Sequence, residues 1–191
     1  SLIGDKTYLF FSHTIKKQVY NRNLLRSVLE KNIRLIDYEV LVNEQGHRVV
    51  AFGRWAGIVG AYNAIWTYGE RYKLFSTKRA HDCFDFEDLK IEFSKVKLPS
   101  IKIVITGGGR VSKGAMEVLL AMNIKMVSPA AFIERVFDVP VFCQLNSRDY
   151  CKNKSGELFV RSSFYASPEH YEGDFLKYAK VADILIAGAY W

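Results

Sequence analysis

The chain has 191 residues, a net charge of +7, 49% hydrophobic residues and 25% charged residues. This composition is typical of a globular protein and excludes an intrinsically disordered chain, which would contain fewer apolar residues. No stretch reaches the roughly 18 uninterrupted apolar residues of a membrane helix, which excludes a transmembrane protein. The three cysteines show neither Cys-x-x-Cys spacing nor a nearby histidine at the spacing of a zinc site, which favours a reducing, cytoplasmic compartment and no metal site.

The excess of basic residues allows an anionic partner but does not identify one. Net charge acts on solubility and on association rates rather than on the fold. The lysines and arginines are dispersed, and none of them stands in an aromatic–basic motif of an RNA- or DNA-binding module. We therefore expect neither a nucleic acid nor a membrane as partner, and the sequence is compatible with a homo-oligomer.

Strand and helix patterns alternate through the first part of the chain. Apolar spacing predicts a helix over residues 20–31, with Asn21 at its N-cap. Short runs of β-forming residues predict three strands, at residues 7–12, 33–40 and 48–52. The last two flank a hairpin-type turn or short loop at residues 43–46.

A longer helix is predicted over residues 54–72. Gly53, Gly57 and Gly60 are spaced three or four residues apart along it. Glycine weakens a helix but lets a neighbouring backbone come close. We therefore expect this face to pack tightly against another element.

A change of composition marks the boundary between two parts of the chain. Residues 77–99 are rich in charged side chains and poor in aliphatic ones, and within them a helix is predicted over residues 86–96. We expect this segment to be a linker or connecting helix between residues 1–76 and residues 100–191.

The strongest motif follows this boundary. A buried strand over residues 101–106 leads into Gly107, Gly108 and Gly109, which we call the glycine turn, and a helical pattern begins at Arg110. Strand, glycine turn and helix in this order are typical of a nucleotide-binding βαβ unit. Gly107 allows the tight turn, Gly109 lets the backbone approach a pyrophosphate, and the helix N-terminus attracts that anion. The predicted cofactor contacts are Gly107, Gly108, Gly109, Arg110 and Val111, with Lys113 as a further positive charge.

The motif departs from the dinucleotide-binding pattern in two places. Its third position, which favours close packing of helix on strand, is Ser112, and Gly114 is expected to take over part of that role. The next predicted strand, residues 124–128, should end in an acidic residue that binds the adenosine ribose. No carboxylate follows it until Glu134, which weakens the expectation of ordinary NAD binding.

The remaining pattern continues an α/β sheet. Strands are predicted at residues 139–144 and 182–187, with a helix over residues 168–180 before the last strand. Because ligands bind at the carboxyl ends of parallel strands, we expect residues 188–191, Tyr190 among them, near a nicotinamide.

A histidine stands just past the first strand. His13 is followed by Lys16 and Lys17. Histidine ordinarily titrates near neutrality, which suits general acid–base chemistry, and the lysines suit a substrate that carries carboxylates. A lone histidine at a strand end is more often structural, so the pattern alone leaves both roles open.

Four segments carry a resemblance to a known family: residues 11–18, 35–41, 43–53 and 56–61, together with the glycine turn and Lys113-Gly-Ala. They resemble the lysine-forming saccharopine dehydrogenases, within the alanine dehydrogenase and transhydrogenase superfamily. The resemblance implies an α/β fold: part of a Rossmann-like parallel sheet at residues 100–191, preceded by part of a second α/β substrate domain. The active site of this family lies in the cleft between its two domains.

The resemblance also implies an activity. Members oxidise a secondary amine with NAD and release an amine and a 2-oxo acid, here expected to be lysine and 2-oxoglutarate; NADP is an alternative cofactor. The matching positions are His13 as the acid–base group and Lys16, Lys17, Glu39 and Arg48 as substrate-binding or tuning groups.

The resemblance further implies a partner for the histidine. In the family a lysine on an upstream Gly-x-Lys-Glu segment works with it, and that segment is not in this sequence. We therefore expect the chain to be an internal fragment that is weakly active or inactive alone. The same superfamily with another substrate, such as alanine or a second nicotinamide, and a non-catalytic Rossmann-type binding module remain the alternatives.

Overall fold

The computed structural model describes residues 2–189. By its internal contacts the chain forms two compact units, one up to Phe52 and one from Gly53 onward, and each is described by itself. The predicted division into domains around residues 77–99 stays a prediction. No helix within the described residues is long and apolar enough to cross a membrane.

The first unit is built on two parallel strands joined by a helix. Strand β1 (Thr7–Phe10) is followed by two short 3₁₀ turns, helix α1 (Arg22–Glu30) and strand β2 (Arg34–Asp37). The strands pair in register from Thr7 opposite Arg34 to Phe10 opposite Asp37. Parallel strands need such a crossover connection, and their carboxyl ends therefore lie side by side.

Two expectations about this unit are corrected. Residues 48–52 do not form a strand; only an isolated antiparallel bridge joins Val42 and Arg48. The turn itself is present, because the Asn43 side-chain oxygen accepts hydrogen bonds from the N–H groups of Gln45 and His47. Asn21 occupies the N-cap position of α1 without a capping hydrogen bond, and its side chain donates to the carbonyl oxygen of His13 at 3.4 Å instead.

The second unit is an α/β structure around a parallel sheet. Its helices are α2 (Gly53–Tyr72), α3 (Phe86–Phe93), α4 (Arg110–Ala121), α5 (Pro129–Glu134), α6 (Ser147–Tyr150), α7 (Arg161–Ala166) and α8 (Leu176–Ala179). Its strands are β3 (Lys102–Thr106), β4 (Lys125–Met126), β5 (Val141–Leu145), β6 (Cys151–Asn153), β7 (Tyr171–Gly173) and β8 (Ile184–Ala187). Four of them form the sheet in the order β4-β5-β3-β8, all parallel. This confirms the predicted Rossmann-like α/β fold class.

Strand β3 is the centre of this sheet and is buried on both faces. Ile103 and Ile105 belong to a core cluster with Ile58 and Tyr62 of α2 and with Leu119 of α4. The alternate side chains of the sheet belong to a second cluster, which contains Val104, Cys143, Leu145, Phe132 and Tyr178. Helices on both faces explain why β3 is apolar along its length rather than alternating.

Helices α2 and α4 cross at two glycines. A Cβ atom on Gly57 would collide with the carbonyl oxygen of Val111, and one on Gly114 would collide with that of Arg54. The close packing predicted for α2 is therefore confirmed at Gly57. It is wrong at Gly60, where a Cβ would meet no atom within 4 Å. Gly114 serves this helix crossing and not the contact of helix with strand that was expected of it.

Two predicted elements in the second unit differ from the structure. The strand expected at residues 124–128 is present but shorter, as β4 at the edge of the sheet, and β5 lies between it and β3. The helix expected over residues 168–180 is replaced by a 3₁₀ turn, strand β7 and the short helix α8. Strand β7 pairs antiparallel with β6, so its backbone groups bond across strands and cannot form a helix.

Candidate functional site

The ends of β1 and β2 bring together four side chains that we call the histidine cluster: His13, Lys16, Glu39 and Arg48. His13 lies three residues past β1 and Glu39 two residues past β2. Because Phe10 pairs with Asp37 in the parallel register, both residues emerge at the same edge. His13 has a φ of 55°, in the left-handed region that non-glycine residues adopt rarely.

The Glu39 carboxylate is the centre of this cluster. One oxygen lies 2.9 Å from His13 Nδ1, and the other lies 3.0 Å from Lys16 Nζ and 3.6 Å from a terminal nitrogen of Arg48. The Glu39 side chain is 13% exposed, whereas the three basic side chains are 45–48% exposed. A nearly buried carboxylate thus holds three basic groups that remain open to solvent.

The contact with Glu39 decides which nitrogen of His13 carries the proton. An ionised carboxylate can only accept hydrogen bonds, so Nδ1 must donate. Lys16 Nζ, 3.2 Å from the same Nδ1, then donates to Glu39 rather than to the ring. In the neutral ring Nε2 is unprotonated, and no described residue bonds to it. A base is thereby held with its free nitrogen available to a ligand.

Electrostatics in the cluster favour an anionic ligand. The hydrogen bond from His13, followed by that from Lys16, lowers the pKa of the Glu39 carboxyl below its ordinary value. Glu39 is therefore ionised at neutral pH. Lys16 and Arg48 together carry two permanent positive charges, and the single negative charge of Glu39 compensates one of them. The cluster therefore keeps one net positive charge that attracts a carboxylate or phosphate.

Asp37 supports the histidine cluster through hydrogen bonds, and it is not among the site residues predicted from the sequence. It is 8% exposed, and its carboxylate accepts hydrogen bonds from the hydroxyl of Ser12 at 2.5 Å and from the N–H of Glu39 at 2.9 Å. Burial alone would raise the pKa of Asp37, but these bonds and the Ser12 N–H lower it below its ordinary value. Its position at the end of a strand, two residues before Glu39, was the available signal.

Lys17 lies apart from this cluster. It has a φ of 53° at the end of the 3₁₀ turn, and its N–H donates to the carbonyl oxygen of Thr14. Within residues 2–189 its ammonium group has no ion-pair partner. The structure therefore brings four of the five predicted substrate-side residues together and leaves Lys17 at the rim.

The glycine turn follows the carboxyl end of β3, at the surface of the second unit. Gly107 has a φ of 91°, and a Cβ there would lie 2.9 Å from the backbone of Gly188 and Ala189. Gly109 faces open space, since a Cβ would meet nothing within 4 Å. Gly107 is required by the turn itself, and Gly109 leaves the backbone free to meet a ligand.

Ser112 closes the contact between helix α4 and strand β3. Its hydroxyl donates to the carbonyl oxygen of Thr106 at 2.9 Å, and both residues are fully buried. Thr106 Oγ1, also buried, has no hydrogen-bond partner among the described residues. A serine at the third position of the motif is thus compatible with close helix–strand packing.

The remaining predicted cofactor residues lie around the same turn. Gly108 and Arg110 are exposed, and the space of a Gly108 side chain is occupied by the side-chain oxygen of Asn146. Arg110 and Val111 begin α4, where backbone N–H groups have no acceptor within the helix. Tyr190 lies outside the described residues. Among residues 2–189 no group of three or more His, Cys, Asp or Glu side chains could hold a metal ion.

The parallel sheet, its helices on both faces and its exposed glycine turn define a Rossmann-like α/β protein. No family model matches the sequence. The chain is 34% identical to the mitochondrial alpha-aminoadipic semialdehyde synthase of Mus musculus and 27% identical to the alpha-aminoadipic semialdehyde synthase of Arabidopsis thaliana, in both cases over all of its own length. It is 30% identical, over 58% of its length, to the NAD(+)-dependent, L-lysine-forming saccharopine dehydrogenase of Candida glabrata. The chain belongs to the saccharopine dehydrogenase family, which confirms the resemblance.

The match covers a small part of each relative. The chain spans 23% of the mouse protein, 21% of the Arabidopsis protein and 26% of the Candida protein. It therefore corresponds to one segment of these proteins, and the activity of a whole relative does not pass to it by similarity alone.

Proposed function

We propose that this chain is a segment of an NAD(P)-dependent oxidoreductase of the saccharopine dehydrogenase type, acting on CH–NH donors. The proposed reaction oxidises a secondary amine that joins lysine to the carbon skeleton of 2-oxoglutarate, and water then releases the two products. The observation that supports this proposal most directly is the position of the Glu39 carboxylate. It lies 2.9 Å from His13 Nδ1 and also forms ion pairs with Lys16 and Arg48.

In this proposal His13 is the general base. With Nδ1–H bonded to Glu39, its Nε2 takes the proton of the secondary amine as the C–H bond is oxidised. After that proton has passed to solvent, the same nitrogen takes a proton from the water that attacks the resulting C=N bond and returns it to the departing amine. The negative charge of Glu39 stabilises the imidazolium that forms in each step, which is how a carboxylate behind a histidine acts in other enzymes.

Lys16 and Arg48 are the proposed anchors for the substrate carboxylates. The guanidinium of Arg48 is 3.6 Å from Glu39, beyond hydrogen-bond distance, so its donors remain available for bidentate pairing. Lys17, outside the histidine cluster, adds a third positive charge, and it forms no ion pair among residues 2–189. Such a substrate carries several carboxylates, and their hydrogen bonds to these groups would fix it relative to Nε2.

The glycine turn is the proposed cofactor site. The open backbone at Gly109 and the first N–H groups of α4, at Arg110 and Val111, would hold the pyrophosphate. Thr106 Oγ1, at the same end of β3, has no hydrogen-bond partner among residues 2–189. When bound, the nicotinamide would supply the redox chemistry by accepting a hydride.

The test is activity in the enzyme that carries this chain. We expect His13→Ala to lower the turnover of lysine, 2-oxoglutarate and NAD(P)H by about two to four orders of magnitude. His47→Ala is the matched control, because it removes a second histidine of the same unit that lies on the exposed turn. A loss of less than about threefold for His13→Ala would remove this residue from the chemistry.

A substrate screen decides between this function and its alternatives. Activity with pyruvate and ammonia, or with a second nicotinamide and not with lysine, would keep the superfamily and replace the substrate. Absence of dinucleotide binding, measured by calorimetry, would favour a non-catalytic module. A cytoplasmic location and a homo-oligomer remain further parts of the proposal, to be tested by fractionation and by light scattering.

A further inference from the structure

Side-chain hydrogen bonds clamp the backbone turn that carries His13. The Ser12 hydroxyl oxygen accepts a hydrogen bond from the Thr14 N–H at 3.2 Å and lies 2.8 Å from the Thr14 hydroxyl. On its other side the Ser12 hydroxyl contacts the Asp37 carboxylate at 2.5 Å. The residues before and after His13 are therefore bonded to each other and, through the buried Ser12, to a buried carboxylate beyond the turn.

The charge of Asp37 sets the direction of these bonds. Its pKa lies below the ordinary value despite its burial, so the carboxylate is ionised at neutral pH and can only accept hydrogen bonds. Ser12 must then give its single hydroxyl proton to Asp37, which leaves the Ser12 oxygen as an acceptor. The Thr14 hydroxyl consequently donates to Ser12. The bonds therefore all point one way, from Thr14 through Ser12 to Asp37.

The backbone of His13 is the feature that such a clamp must hold. Its φ of 55° lies in the left-handed region, which costs a non-glycine residue free energy unless the surrounding structure keeps it there. The His13 carbonyl oxygen accepts a hydrogen bond from the Lys16 N–H at 3.1 Å, which belongs to the 3₁₀ turn that follows. The Ser12 hydroxyl ties this turn to Asp37. Without that hydroxyl we expect the turn to relax and to carry the imidazole away from Glu39.

The carboxylate that anchors the clamp also holds Glu39. One Asp37 oxygen accepts the N–H of Glu39 at 2.9 Å and the N–H of Ser12 at 3.3 Å, and the other accepts the Ser12 hydroxyl. Asp37 thus joins the segment that follows β1 to the segment that follows β2. The 2.9 Å contact between His13 Nδ1 and Glu39 is therefore supported from both sides by one carboxylate.

We propose that Ser12 is a positioning residue for His13: its hydroxyl holds the turn so that Nδ1 faces Glu39 and Nε2 is left unprotonated in the neutral ring. Thr14 assists by donating to the same hydroxyl. The consequence for turnover rests on the proposed function, because it requires His13 to be the general base. The consequence for the imidazole ring does not depend on any activity.

The tautomer of the His13 ring is the direct test. Nitrogen-15 NMR of the chain at about pH 9, well above the ordinary pKa of histidine, should show the Nδ1–H form. Ser12→Ala should move about half or more of His13 to the Nε2–H form that predominates in free histidine, because the left-handed turn is released. Thr14→Val, which keeps the shape without the hydroxyl, should move it in the same direction by less. Thr14→Ser keeps the hydroxyl and should retain the Nδ1–H form.

Ser27→Ala is the matched control, because it removes a serine hydroxyl from helix α1 of the same unit. It should leave the His13 signals unchanged, and the spectrum of His13→Ala identifies those signals among the four histidines. Retention of the Nδ1–H form in folded Ser12→Ala, or an equal shift in Ser27→Ala, would overturn the inference. Circular dichroism establishes which variants fold. If Ser12→Ala does not, Thr14→Val decides in its place, and an unchanged tautomer there overturns the inference.

Turnover of the enzyme that carries this chain separates this inference from the proposed function. We expect Ser12→Ala to lower kcat by about tenfold to hundredfold, since the base is no longer held in place, and Ser27→Ala to leave it unchanged. A shifted tautomer with unchanged kcat would support the positioning of the ring and refute His13 as the base. An unchanged tautomer and kcat in Ser12→Ala, beside a large loss in His13→Ala, would refute the role of Ser12 and leave the proposed function standing.

Discussion

Gln144 donates a 2.7 Å hydrogen bond from its side chain to the carbonyl oxygen of Gly107. The same amide lies 3.2 Å from the side-chain oxygen of Asn146, which fills the space beside Gly108. One side chain at the end of β5 thus holds the first residue of the glycine turn, which must adopt a φ of 91°. The turn is fixed from the neighbouring strand as well as by its own glycines.

This relationship predicts that Gln144→Met weakens dinucleotide binding without unfolding the protein. Methionine has a similar length but cannot donate to Gly107, so the turn loses one fixing hydrogen bond, a loss of about twofold to tenfold in affinity. Titration of the variant with NADPH and with NADH measures the change. Gln18→Met is the control, because the side chain of that glutamine accepts a hydrogen bond from the Tyr20 hydroxyl on the exposed surface of the first unit. Equal affinities for wild type and Gln144→Met would show that the turn holds itself.

The crossing of α2 and α4 gives a paired prediction on stability. Gly57→Ala should lower the free energy of unfolding by about 1–3 kcal/mol or more, because the added methyl group meets the backbone of Val111. Gly60→Ala, one turn away and facing open space, should raise it by about 0.5–1 kcal/mol, the gain of alanine over glycine in a helix. Urea unfolding of both variants measures the difference. Destabilisation of the same size at both positions would contradict the close crossing.

The helix positions illustrate what a single sequence can predict. Spacing of three or four residues marked both Gly57 and Gly60 for close packing, but only Gly57 faces α4. Spacing places residues on one face of a helix, and which part of that face meets a neighbour depends on the crossing point. That point is set by long-range contacts that local sequence does not carry.

The strand order was unpredictable for a similar reason. Residues 124–128 have the local pattern of a second strand, and they follow the glycine-turn helix directly. The structure pairs β5 with β3 and leaves Lys125 and Met126 at the edge. Pairing between strands is a non-local choice, and the local pattern of residues 124–128 does not contain it.

The histidine cluster shows the reverse case. The motifs around His13 and Glu39 predicted that both residues belong to one site, and the parallel register of β1 and β2 explains their 2.9 Å contact. Asp37 carried the same signal, a polar residue ending a strand. Its supporting role depends on its hydrogen bonds to Ser12 and to the Glu39 N–H, and these contacts follow from the pairing of β1 with β2 rather than from a local motif.

The three cysteines should differ sharply in reactivity. Burial raises the pKa of the Cys143 thiol to about 12. It also raises the pKa of Cys83 and of Cys151, but these two side chains are only half-buried, whereas Cys143 is buried. We expect iodoacetamide at pH 8 to modify Cys83 and Cys151 in the folded chain and to spare Cys143 until urea is added, because the thiolate is the reactive form. Peptide mass spectrometry assigns each label. Labelling of Cys143 at the rate of the other two would show that the core around β5 opens readily.

Asp37 gives a prediction with a defined pH dependence. Its folded pKa lies below the ordinary value of about 3.9, so its stabilising effect is complete above that pH and is lost as the pH falls through the folded pKa. At pH 7, Asp37→Asn should speed hydrogen exchange of the Ser12 amide about fivefold or more, since a buried charge-assisted acceptor is lost. The ratio between variant and wild type should shrink toward one as the pH falls through the folded pKa, and comparison at equal pH cancels the intrinsic exchange rate. Asp5→Asn is the control, because that carboxylate bonds to Asn32 on the exposed surface. A ratio that does not fall even where acid protonates this carboxyl would show that the ionised form of Asp37 does not hold the turn that carries His13.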